Sequence, residues 1–255
     1  MALEAAIAAD DDGDEVRRPV GARLLDELGR RILSGQYPPG APLPTELQLC
    51  AEFGVSRTAM REATKMLAAK GLVVARKRAG TLVQDADNWN RLDPDVLAWM
   101  DAAPPDPEFI RGLIEARLAI EPAAAQLAAQ RATSKDLALI ESGYLAMRAA
   151  DLRDLVACAS ADVDFHVSIL KASHNPVFSG LASLIAQALA NSFRLTTSVS
   201  KSYAKTLDAH GEVLEAIRLR QPELAASRMR ALIDIASTDL KATTVAKPRK
   251  SGGKS

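Results

Sequence analysis

Cysteine is nearly missing. Cys50 and Cys158 are the two in 255 residues, and no Cys-x-x-Cys spacing surrounds either. That excludes a thiol zinc clip or a disulfide framework and fits two buried thiols in a reducing compartment. Aromatic residues reach only 4 %, while Ala and Leu dominate long stretches, a bias toward helices over sheets. No run approaches the roughly 18 apolar residues that a membrane-spanning helix needs. The acidic opening (Asp10, Asp11, Asp12, Asp14, Glu15) lacks the basic flank of a signal peptide, so a cytoplasmic chain is expected. With 48 % hydrophobic and 25 % charged residues, the chain has ordinary globular composition and length enough for two domains.

Net charge is also absent, yet the zero hides an asymmetry. Residues 17–85 carry 12 Lys and Arg against 6 Asp and Glu, whereas residues 86–243 carry 16 against 20. A basic block of domain size beside a mildly acidic one suits a nucleic-acid-binding module tied to a second domain. Residues 1–18 read as a disordered acidic tail and 244–255 as a disordered basic one. Residues 19–85 read as the first domain, 86–104 as a connector holding Trp89 and Trp99, and 105–243 as a helical domain of six or seven helices. Helix breaks are expected near Thr133-Ser134, Asp151–Asp154, Ser173–Pro176, Val199–Ser202 and Gln221-Pro222.

Inside the first domain, Leu24, Leu25, Leu28, Ile32 and Leu33 form one helical stripe, which Tyr37-Pro38-Pro39-Gly40 ends. Thr45 caps a helix over Glu46–Phe53, Gly54 supplies a turn, and Ser56 caps a third helix reaching about Lys70. Two short β-type runs, Leu72–Ala75 and Thr81–Gln84, flank Arg76-Lys77-Arg78-Ala79-Gly80 as a hairpin wing. This is the layout of a winged helix-turn-helix. Leu47, Cys50, Ala51 and Val55 would supply the apolar side of the supporting helix, and Ala59, Ala63, Met66 and Leu67 that of the second. Ser56, Arg57, Thr58 and Arg61 then face outward at the start of the second helix. There guanidinium groups can read guanine, and hydroxyls with the helix N-terminus can hold phosphate. Arg76, Lys77, Arg78 and the wing glycine Gly80 would add phosphate or minor-groove contacts.

This module resembles the winged helix-turn-helix of the GntR superfamily. The shared residues are Pro38-Pro39-Gly40, Leu43-Pro44-Thr45-Glu46 and Gly54-Val55-Ser56-Arg57 with Arg61-Glu62. The resemblance implies that Arg57, Thr58 and Arg61 contact operator DNA. Leu47 stands where many members have a DNA-contacting Arg, and Ala79-Gly80 offers one glycine where the wing pattern has Gly-x-Gly.

In the helical domain, Asp162 and His166 lie four apart on one helical face, and His210 opens a segment that could converge on them. Such a pair can ligate a metal, grip an anion, or simply hydrogen-bond within a core. His174, at a helix break before Pro176, reads as a turn residue. Arg117 with Glu121, Asp162 with His166, and His210 together are similar to the ligand-binding (FCD) domain of the FadR subfamily. The connector from Trp89 to Trp99, Arg131–Leu137 and His174–Val177 are similar to its galactonate-operon repressor type. The resemblance implies a homodimeric repressor released by a sugar acid. Its carboxylate would meet Arg117 or one zinc-like divalent ion on Asp162, His166 and His210, and its hydroxyls would meet Asn191. Metal-binding members carry a further His where Leu232 stands here, so direct anion binding by Arg117, His166 and His210 stays open. A hydroxy or keto acid, or an acyl compound, is the alternative effector. A metal-dependent hydrolase would need a nucleophile or general base that no spacing here supplies. No enzyme is expected.

Overall fold

The computed structural model describes residues 20–100, 107–195 and 199–245. The acidic tail expected at 1–18 lies outside them. Of the basic one, Thr244 and Val245 close the last helix and the rest lies outside as well. The chain divides into two compact units, residues 1–105 and 106–255.

The first unit is built around α1 (Val20–Leu33), whose five stripe residues are all buried. Thr45 and Gln48 form a reciprocal capping box at the start of α2 (Glu46–Phe53), and Gly54 ends it at φ +64°. The Ser56 side chain accepts from the Ala59 N–H and opens α3 (Arg57–Ala69). β1 (Val73–Arg76) and β2 (Gly80–Val83) pair antiparallel, from Val73 opposite Val83 to Arg76 opposite Gly80. Three helices and a two-stranded wing match the expected winged helix-turn-helix.

The facing of α2 and α3 differs from the expected one. Leu49 is buried in α2, while Leu47 is 63 % exposed and Ala51 also faces outward. In α3 the core side is Met60, Ala63 and Leu67, and Met66 is 47 % exposed. Spacings of three and four place Met60, Ala63 and Leu67 on one stripe, and Met66 falls about 100° away.

Residues 86–99, read as a connector, are folded onto the first unit. After a 3-10 turn at Ala86–Asn88 comes α4 (Pro94–Trp99). The Trp99 ring is buried against Gly29, and its indole N–H donates to Asp26 Oδ1 at 3.0 Å. Lys70, which caps α3, donates to Asp93 and pairs with Asp95, both at 2.7 Å. The segment is thus latched to α1 through an aromatic ring and to the end of α3 through an ion pair.

The second unit contains α5 (Pro107–Arg131), α6 (Ser134–Ala149), α7 (Leu155–Ala172), α8 (Pro176–Gly180), α9 (Ala182–Leu195), α10 (Val199–Arg218) and α11 (Pro222–Val245). All described residues outside the turns are helical, as the periodicity predicts. The break expected near Val199–Ser202 falls at the start of α10, which begins at Val199 after α9 has ended at Leu195. Buried alanines (Ala124, Ala125, Ala128, Ala129, Ala161) let the helices approach closely. At Gly143 a Cβ would lie 2.9 Å from the Phe165 backbone, so α6 and α7 cross almost in contact.

Gly29→Ala tests the Trp99 latch, because its Cβ would come within 2.3 Å of Trp99 Cε3. Overpacking of this kind costs about 1–3 kcal/mol. Gly21→Ala, in the same helix with nothing within 4 Å, should be neutral or stabilising. Denaturant unfolding of both variants checks this, and equal stabilities would refute the packing.

Candidate functional site

Two sites form, one in each unit. In the first, Ser56, Arg57, Thr58 and Arg61 are all exposed along the opening of α3, and no acid occupies its first turn. Free N–H groups and the positive end of the helix dipole add to the two guanidinium groups. The Arg61 Nε–H donates to Glu46 Oε2 at 3.0 Å, a contact that no short-range sequence pattern announces. Arg76, Lys77, Arg78 and Gly80 are exposed on the wing. Its tip is a tight turn in which the Ala79 N–H donates to the Arg76 carbonyl at 3.2 Å. Arg78 occupies the third turn position at φ +69°, where glycine is ordinarily required, and Gly80 follows at φ +79°. A cation thus stands at the wing tip despite left-handed strain.

In the second unit α5, α7 and α10 bring Arg117, Glu121, Asp162, His166 and His210 together, all buried. Arg117 Nε–H donates to Glu121 Oε1 at 2.5 Å, and the other Glu121 oxygen accepts from His166 Nδ1. His210 Nδ1 donates to the Thr206 carbonyl at 2.6 Å. Both partners are acceptors only, so each ring carries a proton on Nδ1, and each in its neutral form turns an Nε2 lone pair inward. The two Nε2 atoms lie 3.3 Å apart. Asp162 Oδ1 is 3.1 Å from His210 Nε2 and 4.0 Å from His166 Nε2. Phe165 closes one side, edge-on to both imidazoles.

Burial alone would push both carboxyls up. At Glu121 the Arg117 charge and the hydrogen bonds from His166 and Arg117 more than offset this and hold it at about 2. At Asp162 burial is likewise outweighed and the net shift is downward, with the Arg117 charge among its causes. Two ionised acids and one guanidinium sum to one negative charge. Three lone-pair donors pointed at one another repel unless a cation lies between them. The donor set therefore fits a divalent metal: ligands about 2.0–2.1 Å from a tetrahedral zinc lie about 3.3 Å apart. Asp162, His166 and His210 form the group of described residues able to hold such an ion.

Three further residues bear on this reading. His174 adopts φ +49° and bonds Asp136 at 2.9 Å, which makes it a turn residue. Leu232 is buried in the hydrophobic core and has no lone pair to offer. Asn191 lies on α9, with its side chain outside the described residues.

Residues 21–83 match the model of bacterial regulatory proteins of the gntR family, and residues 112–234 match the FCD domain. The galactonate operon transcriptional repressor of Escherichia coli K12 is 37 % identical over 223 residues, 87 % of this chain and 97 % of that one. The chain belongs to the GntR family. This GntR-family regulator is also 30 % identical to an E. coli K12 protein whose name assigns it to the L-lactate dehydrogenase operon, over 86 % of this chain and 87 % of that one. A solved structure, titled for Lar, which controls expression of the Listeria monocytogenes agr system, has a TM-score of 0.62 at 21 % identity. It covers 88 % of this chain and 98 % of its own, and shows the shared fold. The relatives are transcriptional regulators, and so is this chain.

Arg78→Gly separates wing strain from wing contact. Relieving the left-handed strain should raise stability by about 0.5–1 kcal/mol. Losing one phosphate contact should lower the salt slope of DNA binding by ~0.9. Thermal unfolding and salt-dependent anisotropy read the two effects. An unchanged slope would remove Arg78 from the interface.

Proposed function

We propose that this GntR-family regulator is a homodimeric repressor of a sugar-acid catabolic operon, and that a galactonate-like aldonate releases it from its operator. The carrying observation is the buried convergence of His166 Nε2, His210 Nε2 and Asp162 Oδ1 beside Arg117. In this reading Asp162, His166 and His210 hold one zinc-like divalent ion, which supplies positive charge and open positions for a carboxylate. Bound metal turns a site of one negative charge into one of one positive charge, which a monoanionic acid neutralises. Arg117 has four N–H donors beyond the one on Glu121, suited to a carboxylate. Asn191 remains assigned to the hydroxyls. With Leu232 in place of a further donor, three protein ligands leave more of the ion open.

Support for the sugar acid comes from the relative named as a galactonate operon repressor. The relative named for a lactate dehydrogenase operon supports a second reading, in which a hydroxy or keto acid occupies the same site. Each protomer presents Ser56, Arg57, Thr58, Arg61 and the wing residues Arg76, Lys77, Arg78 and Gly80 to one operator half-site, as helix-turn-helix dimers do.

The test is operator affinity by anisotropy, alone and with galactonate, other aldonates, lactate or pyruvate, before and after chelation. Galactonate should weaken binding about 100-fold, a differential affinity of about 2.7 kcal/mol. Asp162→Ala or His210→Ala should abolish both zinc retention and this response. Release by lactate alone would favour the second reading. One unchanged affinity across the panel would overturn both.

A further inference from the structure

An acid in the middle of a DNA-reading face needs a reason. Residues 17–85 are strongly basic, yet Glu46 stands beside Arg61, its carboxylate 3.0 Å from Arg61 Nε. Against phosphate such a carboxylate lowers affinity for every sequence alike. Its geometry indicates what it contributes instead. Glu46 is the first residue of α2 and follows Thr45, whose capping box with Gln48 fixes the backbone there. Its side chain is the less exposed of the two, 36 % against 65 % for Arg61. The better buried acid therefore holds the more exposed cation.

Guanidinium can present two edges to guanine, the pair of terminal amines or Nε with one amine. Glu46 occupies Nε. The terminal pair is left, in a fixed plane, one helical turn beyond Arg57. We propose that Glu46 is a positioning residue for sequence reading: it orients Arg61 so that its two terminal amines meet one guanine edge-on, gaining discrimination while lowering general DNA affinity. The proposal rests on the reading that Arg61 faces the operator.

The test uses the full chain and duplexes selected by it from a random library, followed by anisotropy on the selected duplex and its single-base-pair variants. Arg61→Ala first identifies the base pair that Arg61 reads. Glu46→Gln keeps shape and helix while removing the charge. It should cut discrimination at that same base pair by about tenfold, with binding to random DNA unchanged or tighter. Glu62→Gln is the charge control. Glu62 lies on α3 and pairs with Lys65 at 2.7 Å, so its loss should raise random-DNA affinity without touching discrimination. Loss confined to the Arg61 base pair in Glu46→Gln, absent in Glu62→Gln, sustains the proposal. Discrimination retained in Glu46→Gln while Arg61→Ala relaxes one position overturns it and leaves Arg61 as a base reader. Uniform weakening by Arg61→Ala overturns both. Circular dichroism of each variant guards against misfolding, and Glu46→Ala, which removes the acceptor that a Gln amide oxygen can still supply, should lose discrimination at least as far; discrimination retained in Glu46→Ala overturns the proposal.

Discussion

A carboxylate sealed inside a helical bundle must be compensated from within, and Glu121 is compensated twice. Arg117 occupies one of its oxygens and His166 the other. Removing Arg117 would leave that charge buried without its counter-charge, a fault worth about 3–5 kcal/mol, and removing His166 would leave one oxygen without its hydrogen bond. The same contacts set the chemistry. Because Glu121 accepts from His166 Nδ1, a neutral ring there presents its lone pair on the opposite nitrogen, and the Thr206 carbonyl does the same for His210. The inward donor set thus follows from second-layer acceptors that would not themselves touch a ligand.

The reading face obeys a different constraint. A recognition helix can expose its first turn only if its far side is firmly held, and Met60, Ala63 and Leu67 hold it in a core shared with Leu28, Ile32 and Val73. The caps at Thr45 and Ser56 fix where each helix begins, so Arg57 and Arg61 enter solvent at defined positions. The far end of α3 is fixed as well, through Lys70 to Asp93 and Asp95. A helix held at core, start and end behaves as a rigid reader, and exposed Arg and Lys then act from a stable platform.

Much of this was legible in the residues because it is local. Caps, the Gly54 turn, the hairpin and the Asp162–His166 spacing all lie within a few positions of one another. Facing was less legible. Over the eight residues of α2, apolar periodicity is too short to fix a phase, and Leu47 and Leu49 compete for the core position that Leu49 takes. Trp99 looked like part of a linker because Asp26 and Gly29, which hold it, come some seventy positions earlier. Glu121 is four residues from Arg117 but 45 from His166, so its role in setting a tautomer emerges only once α5 and α7 are packed.

What remains is the proposed joining of the buried group of Asp162, His166 and His210 to the exposed start of α3, a claim about free energy more than about shape. Coupling of this kind is reciprocal by thermodynamic necessity. The decisive measurement is calorimetric titration of galactonate into the zinc-loaded protein, alone and saturated with operator. If the two sites are joined as described, operator must weaken galactonate binding by the same factor by which galactonate weakens operator binding. Equal galactonate affinity in both titrations would show the sites to be independent and would contradict the regulated switch.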